Sequence, residues 1–257
     1  MPLMRQAGQV LRERFHSKME VTVKGWANIV TDVDYEVERL VLGQVREQFP
    51  QCGILAEESG AGGAASGEWT WIVDPLDGTR NYARGLPHYC TTMALAQRGE
   101  VKLGVTYDPS RNELFWAQAG QGMWRDGQRV QVSQATELAP TTLGTDMGYS
   151  DGLAADALAL LGQLWPGMQA IRVMGSAALG VAYAAQGRYD LYFHHKLAPW
   201  DIAAGIIMTQ EAGGVVTDRD GKLITLESPS IIASSRTLVD EFLRKTAGTP
   251  WRTRERE

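Results

Sequence analysis

The stretch Trp69-Thr70-Trp71-Ile72-Val73-Asp74-Pro75-Leu76-Asp77-Gly78-Thr79 sets an apolar run directly against two carboxylates, a proline and a glycine. An apolar run of this length, closed by turn-forming residues, reads as a buried strand. Pro75 has no N–H for a central ladder, so the spacing predicts that the chain turns there and lets Asp74 and Asp77 face one point. Gly78 and Thr79 then open a turn or helix whose free N–H groups suit a phosphate. A second stretch repeats the arrangement: Cys52-Gly53-Ile54-Leu55 runs into Ala56-Glu57-Glu58-Ser59. Four carboxylates therefore stand at strand ends, where one sheet can make them converge. At about 4 Å and an effective dielectric of about 20, each like-charged pair costs about 4 kcal/mol. Relief comes from raised pKa values or from bound cations. A donor set of oxygens alone favours a hard cation, Mg²⁺ ahead of Zn²⁺.

Each cluster also has a plainer reading. Asp74 to Thr79 could be an acidic turn capping a helix, and Glu57-Glu58 could be two solvated charges. Together they favour metal ligands beside a phosphate cradle, a combination suited to phosphoryl chemistry. A third element, Pro199-Trp200-Asp201-Ile202-Ala203-Ala204-Gly205, places Asp201 ahead of an almost wholly apolar helix. An N-cap role and a ligand role are compatible there.

With 257 residues, 44% hydrophobic and 21% charged, the chain suffices for one large or two small domains with a substantial core. A net charge of -5 argues against nucleic acid as the main partner. The tail Trp251-Arg252-Thr253-Arg254-Glu255-Arg256-Glu257 alternates in sign and reads as a frayed terminus. Cys52 and Cys90 are too few for a disulfide framework and form no C-x-x-C. No apolar stretch approaches the roughly 20 residues of a membrane span. Met1 to Arg14 lacks a signal-peptide core and reads as an amphipathic helix with Leu3, Val10, Leu11 and Phe15 on one face. A cytoplasmic setting is the expectation.

Further along, the spacing predicts a helix over 34–48, capped by Thr31 or Asp32 and stopped by Pro50. Residues 60–67 read as an exposed loop of small residues. Strands at 90–95, 101–107 and 113–117 form an antiparallel meander, and Asp126-Gly127 turns a hairpin. Beyond Pro140, helices at 153–164, 175–186, 202–212 and 237–245 alternate with strands at 171–174, 189–193, 215–218 and 230–233. Gly213-Gly214 closes the third of these helices. Stacked α and β layers follow, in two halves: 1–140 with most of the carboxylates and 141–257 with Asp201.

Asp74 to Thr79 together with Trp200-Asp201-Ile202-Ala203-Ala204-Gly205 resembles the inositol monophosphatase family. Lys24, Val30-Thr31-Asp32-Val33-Asp34, Glu57-Glu58 and Glu211-Ala212-Gly213-Gly214 fall in the family's order, so the resemblance spans nearly the whole chain. It implies an α+β, five-layered αβαβα sandwich and Mg²⁺-dependent, lithium-sensitive hydrolysis of a phosphate monoester, first of all inositol monophosphate, by a homodimer. It also implies two or three Mg²⁺ ions: one on Glu57, Asp74 and the carbonyl of Leu76, one on Asp74, Asp77 and Asp201, and a weaker one near Glu57. By the same resemblance Gly78 and Thr79 hold the phosphate, Thr79 paired with Asp34 orients the attacking water, and Glu58 supports that arrangement. Asp77, Gly175, Ser176, Ala177 and His194 fall on the substrate side. Displacement is in line, without a phosphoenzyme. Histidinol phosphate, fructose bisphosphate and 3′-phosphonucleotides are alternative substrates within the same chemistry.

One departure concerns the substrate. Inositol-preferring members place a glutamate seven positions before the aspartate of the Trp-Asp pair; here that residue is His194, in Phe193-His194-His195-Lys196. A histidine makes one hydrogen bond there and is a different clamp. Adjacent strand residues point to opposite faces, so His194 and His195 are not expected to act together.

A rival reading is metal-free. Gly148-Tyr149-Ser150-Asp151-Gly152 fits G-x-S-x-G, and Asp190 and His194 follow in triad order, as in an esterase with Ser150 as nucleophile. Residues 141–147 read as a poor strand for such an elbow, Ser150 or Asp151 more simply caps the next helix, and four carboxylates stay unexplained. A silent binding protein is a third class. Chelation separates them: EDTA stops the phosphatase and spares the esterase.

Overall fold

A computed structural model describes residues 1–63 and 68–254. Residues 64–67 of the expected small-residue loop, and 255–257 of the tail, lie outside the described residues. Helix α1 (Pro2–Arg14) leads into a hairpin of β1 (Val21–Gly25) and β2 (Asn28–Thr31), then helix α2 (Asp32–Gln48). Thr31 caps α2 by accepting from the Val33 N–H, and Asp34 reaches back to the Thr31 backbone as a capping box. Next come β3 (Gly53–Ala56), β4 (Gly60–Gly63), β5 (Trp69–Asp77), the short helix α3 (Thr79–Ala83), β6 (Cys90–Gln97), β7 (Glu100–Asp108), β8 (Glu113–Gln118), β9 (Gly122–Arg125) and β10 (Gln128–Val130). These form one eight-stranded sheet in the order β10-β9-β8-β7-β6-β5-β3-β4.

The remainder builds a second sheet from β11 (Thr142–Thr145), β12 (Ala170–Val173), β13 (Leu191–His194), β14 (Val215–Thr217) and β15 (Ile231–Ser234), ordered β12-β11-β13-β15-β14. Helices α4 (Asp151–Leu164), α5 (Ala177–Ala185), α6 (Pro199–Glu211), α7 (Arg236–Lys245) and α8 (Pro250–Thr253) complete it.

Three apolar clusters define the layers. Met4, Leu11, Val37 and Val41 of α1 and α2 pack on Trp71, Val73 and Val105 of the large sheet. Ile72, one residue out of phase, faces the opposite way and meets Val181 of α5 and Ile206 of α6. Tyr192 and Ala233 of the small sheet join that same cluster from the far side. On the small sheet's outer face Leu143, Leu191 and Phe193 pack with Leu160 of α4 and Phe242 of α7. The order helix, sheet, helix, sheet, helix is the expected five-layered α+β sandwich. Gly104 of β7 lets α6 lie close on the large sheet, since a Cβ there would stand 2.7 Å from Ala204 Cα. That contact sets the depth of the α6 N-terminus, which carries Asp201.

Several expectations are corrected. The chain does not turn at Pro75: β5 runs on to Asp77, and a bulge opposes Asp74 to Thr92 but Asp77 to Cys90. The extra residue turns both carboxylates toward one place. Residues 142–145 form a true strand, β11, paired to β12 and β13. Its Gly144 is required by packing, because a Cβ would lie 2.5 Å from Tyr189 Cδ2. Residues 60–63 pair with β3 as β4 rather than forming a loop. The described part of the tail is held rather than frayed: Trp251 is buried, and Arg254 Nη2 donates to Asp156 Oδ1 at 2.9 Å. Among the described residues no helix is long and apolar enough to cross a membrane.

Candidate active site

The strand ends deliver the acids as their apolar stems dictate. Glu57 follows β3, its N–H bonded to the Val73 carbonyl of the neighbouring strand at 3.1 Å. Asp74 lies in the bulge of β5 and accepts the Leu76 N–H at 2.9 Å. Asp201, in the first turn of α6, accepts the Ala198 N–H at 2.7 Å. It therefore caps its helix and also reaches the site. Ligand oxygens of Asp74, Asp77 and Asp201 all lie within 4.8 Å of one another. Glu57 stands beside Asp74 and borders the same cavity.

Burial is the largest influence on these groups. It pushes the pKa values of Asp74, Asp77 and Asp201 up, and their mutual repulsion pushes Asp74 and Asp201 further. Burial, then the Glu58 charge, raises Glu57 to about 7. Lys24 on β1 pairs with Glu58 at 2.6 Å and reaches Glu57 only at 3.9 Å. An all-oxygen, buried and under-compensated donor set fits a hard divalent cation. The Leu76 carbonyl oxygen lies 2.9 Å from Thr79 Oγ1, whose single proton it shares with Asp34 at most in part, so it keeps a lone pair for such an ion.

Asp77 has its own support. Its Oδ2 accepts from Ser176 Oγ and from the Ala178 N–H at 3.0 Å, and its Oδ1 from the Ala177 N–H at 3.3 Å. Ser176 is buried against this carboxylate and does not border the cavity, unlike Gly175 and Ala177. Partners that orient a ligand typically matter about 10–100-fold in metal affinity. Ser176→Ala should weaken Mg²⁺ binding by that order in a calorimetric titration, and Ser176→Thr should restore it. An unchanged affinity in Ser176→Ala would dismiss this role.

Thr79 Oγ1 lies 3.0 Å from Asp34 Oδ1. Asp34 is fully buried, and burial raises its pKa to about 6 against the opposing hydrogen bonds of Thr31 and Thr79. Glu58 turns toward Lys24, while its N–H donates to Glu38 at 2.9 Å. Gly78 has φ +92°, and a Cβ there would stand 3.0 Å from the His88 carbonyl, so only glycine fits.

A cavity of about 360 Å³ opens over these residues. Glu57, Asp77, Gly78, Thr79 and Asp201 border one side; Asp34, Asp74 and Leu76 are not among its lining residues. Arg80, Asp146, Tyr149 and His195 also border it and were not foreseen. Arg80 directly follows Thr79, a signal available in the chain; Asp146 was hidden because β11 looked like a poor strand. The expectation that His194 and His195 face apart is overturned. β13 ends at His194, alternation stops there, and the two rings stack at 4.6 Å and 27°.

The esterase constellation does not assemble. Ser150 Oγ caps α4 by accepting the Leu153 N–H. The Asp190 carboxylate accepts from Ser133 and from the Thr142 N–H, and His194 Nδ1 accepts the Lys196 N–H at 3.1 Å.

Five stacked layers with convergent acids at the strand ends define a metal-dependent phosphatase class. Residues 1–249 match the inositol monophosphatase family, and the chain belongs to it. Nus factor SuhB of Pasteurella multocida (strain Pm70) is 36% identical over 244 residues, 94% of this chain and 91% of that protein. The fructose-1,6-bisphosphatase/inositol-1-monophosphatase of Thermotoga maritima is 37% identical over 243 residues, 94% of this chain and 92% of that protein. A solved structure, the extragenic suppressor protein SuhB of Bartonella henselae, superposes with a TM-score of 0.92 at 33% identity and covers 96% of each chain.

Proposed function

We propose that this protein is a Mg²⁺-dependent phosphatase that hydrolyses a small phosphate monoester, with inositol monophosphate among the esters it accepts. The observation that carries the reading is the cluster of buried Asp74 and Asp77 with half-buried Asp201, gathered within 4.8 Å beside the Thr79–Asp34 pair. Glu57, Asp74 and the Leu76 carbonyl would hold one cation, and Asp74, Asp77 and Asp201 another, with a third near Glu57. Bound cations neutralise the acids, acidify a water and stabilise the oxygen of the leaving alcohol. The chain supplies the rest. Gly78 and Thr79 direct backbone amides at the phosphate. The Thr79 hydroxyl donates its hydrogen bond to Asp34, which leaves its oxygen lone pairs to accept from the attacking water and fix its line of approach. Glu58, anchored by Lys24, keeps Glu57 and the β1–β2 hairpin in register with that water.

Lithium sensitivity, a homodimeric state and a cytoplasmic setting accompany this reading through the family. The test is release of inorganic phosphate from inositol 1-phosphate with millimolar MgCl₂ and with excess EDTA. Turnover that persists in EDTA would reject it.

A further inference from the structure

The cavity wall away from the acids is built of hydrogen-bond donors. His194 is 2% exposed, at the end of β13. The Lys196 N–H donates to its Nδ1 at 3.1 Å, which makes that nitrogen an acceptor. Burial, then the charges of His195 and Arg80, hold its pKa well below the ordinary histidine value. The ring is therefore neutral, with its one proton on Nε2. His194 offers the cavity a donor, where a glutamate would offer acceptors.

His195, stacked on it, is 4% exposed, and among the described residues neither of its ring nitrogens has a hydrogen-bond partner. The Met147 backbone lies near the ring, outside hydrogen-bonding geometry. Both nitrogens are sealed from solvent, so the ring backs His194 and does not itself meet a ligand. Arg80 comes to the same place: its Nη2 is 3.4 Å from the Gly148 carbonyl and its Cζ 4.9 Å from the Tyr149 ring centroid. Gly148 joins all three, since a Cβ there would lie 3.0 Å from His195 Nε2 and 3.2 Å from His194 Cε1. One carboxylate, Asp146, borders this region, but it is spent internally. Its Oδ1 accepts the Met174 and Gly175 N–H groups and its Oδ2 the Tyr192 hydroxyl.

We propose that Arg80 and His194, the latter backed by the stacked His195, bind a second oxyanion of the substrate, so that the preferred ester carries another phosphate or a carboxylate besides the phosphate that is hydrolysed. The proposal rests on the phosphatase reading and narrows it. Polyol hydroxyls both donate and accept, and a wall of donors meets only half of that capacity. An oxyanion accepts from the Arg80 fork and the His194 Nε2–H at once.

Three matched esters test this: glucose 1-phosphate, glucuronic acid 1-phosphate and glucose 1,6-bisphosphate. With Mg²⁺, kcat/KM for the two doubly anionic esters should exceed that for glucose 1-phosphate by about 10-fold or more, mainly through KM. The ratio of each to glucose 1-phosphate tells which oxyanion the wall prefers, and either preference supports the proposal. Arg80→Ala should bring the ratio close to one, Arg80→Lys should keep part of it, and His194→Glu should reverse it. A ratio of one in the unaltered protein overturns the proposal. So does an Arg80→Ala effect equal for all three esters, which would place Arg80 on the hydrolysed phosphate instead. Affinity gives a readout without turnover. By calorimetry glucuronic acid 1-phosphate should bind about 10-fold more tightly than glucose 1-phosphate, and lose that margin in Arg80→Ala. Equal affinities overturn the proposal; the margin without any turnover refutes only the hydrolytic reading.

Discussion

Asp77→Asn should lower kcat by about 10³-fold or more while leaving the fold intact. The substitution keeps the size and planarity of the side chain but removes a formal charge from the ligand cluster. A loss of about 4 kcal/mol of charge stabilisation at the reacting centre corresponds to that factor. Folding should tolerate the change because two effects oppose each other. An amide in place of the carboxylate lets Ser176 remain bonded but leaves one of the Ala177 and Ala178 N–H groups without its acceptor, at about 1–3 kcal/mol. Against this, the amide removes a buried charge repelled by Asp74 and Asp201. The melting temperature in EDTA should therefore stay within a few degrees of the unaltered protein. Steady-state phosphate release and a thermal melt, run side by side, check both halves. Near-normal turnover would remove Asp77 from the ligand set.

The second large effect is a stabilisation by Mg²⁺ that grows with pH. Glu57 rises from an ordinary value of 4.5 to about 7 on folding, and Asp34 from 3.8 to about 6, each because burial disfavours its charge. Between the unfolded and folded values the folded chain keeps a proton that the unfolded chain has lost. Stability is then fully present below the unfolded pKa and falls as pH rises through the folded one. Above pH 7 each group costs on the order of 3 kcal/mol relative to acid. Divalent cations require the deprotonated forms, so they stabilise most where the metal-free protein is weakest. Buried His88, His194 and His195, whose pKa values burial lowers, pull the metal-free trend the other way, so the difference between the two conditions is the readout. The gain in melting temperature given by 10 mM MgCl₂ should grow by about 5 °C or more between pH 5 and pH 8. Comparing the two conditions at each pH cancels the titrating groups that do not respond to the metal. Parallel curves with and without Mg²⁺ would contradict the linkage.

The parts of the fold legible from the chain were those with long one-sided burial. The runs at 52–55 and 69–73 announce β3 and β5, and the acids follow at their ends because turn residues close each run. The meander from Cys90 to Gln118 was likewise readable, as each strand carries a Gly-containing or Asp-Pro turn. What escaped has physical causes. The β1 strand is exposed at every position and has no apolar face to mark it. β11 is Thr142-Leu143-Gly144-Thr145, whose glycine serves the Tyr189 ring rather than a turn. At Pro75 a missing N–H was read as the end of a strand, whereas the bulge absorbs it and β5 continues.

The candidate site divides along the same line. Glu57, Asp74, Asp77 and Asp201 were legible because each sits at the edge of an apolar element. Ser176 stands on the substrate side by resemblance, and the fold adds that its hydroxyl bonds Asp77. His195 was set apart from His194 by strand alternation, which fails one residue beyond the end of β13. Arg80 and Gly148 meet only through tertiary structure, 68 residues apart. The acidic end of the cavity follows from local sequence, and the donor wall from the way the second sheet brings its loops over the first.

Calorimetric titration of the metal-free protein with MgCl₂ at pH 7, in two buffers of different ionisation enthalpy, tests the buried acids most directly. Saturable binding with net release of protons is expected, since ions must displace the protons that burial holds on these carboxyls. Absence of saturable binding, or binding that releases no protons and survives Asp74→Asn unchanged, would contradict a metal centre at this place.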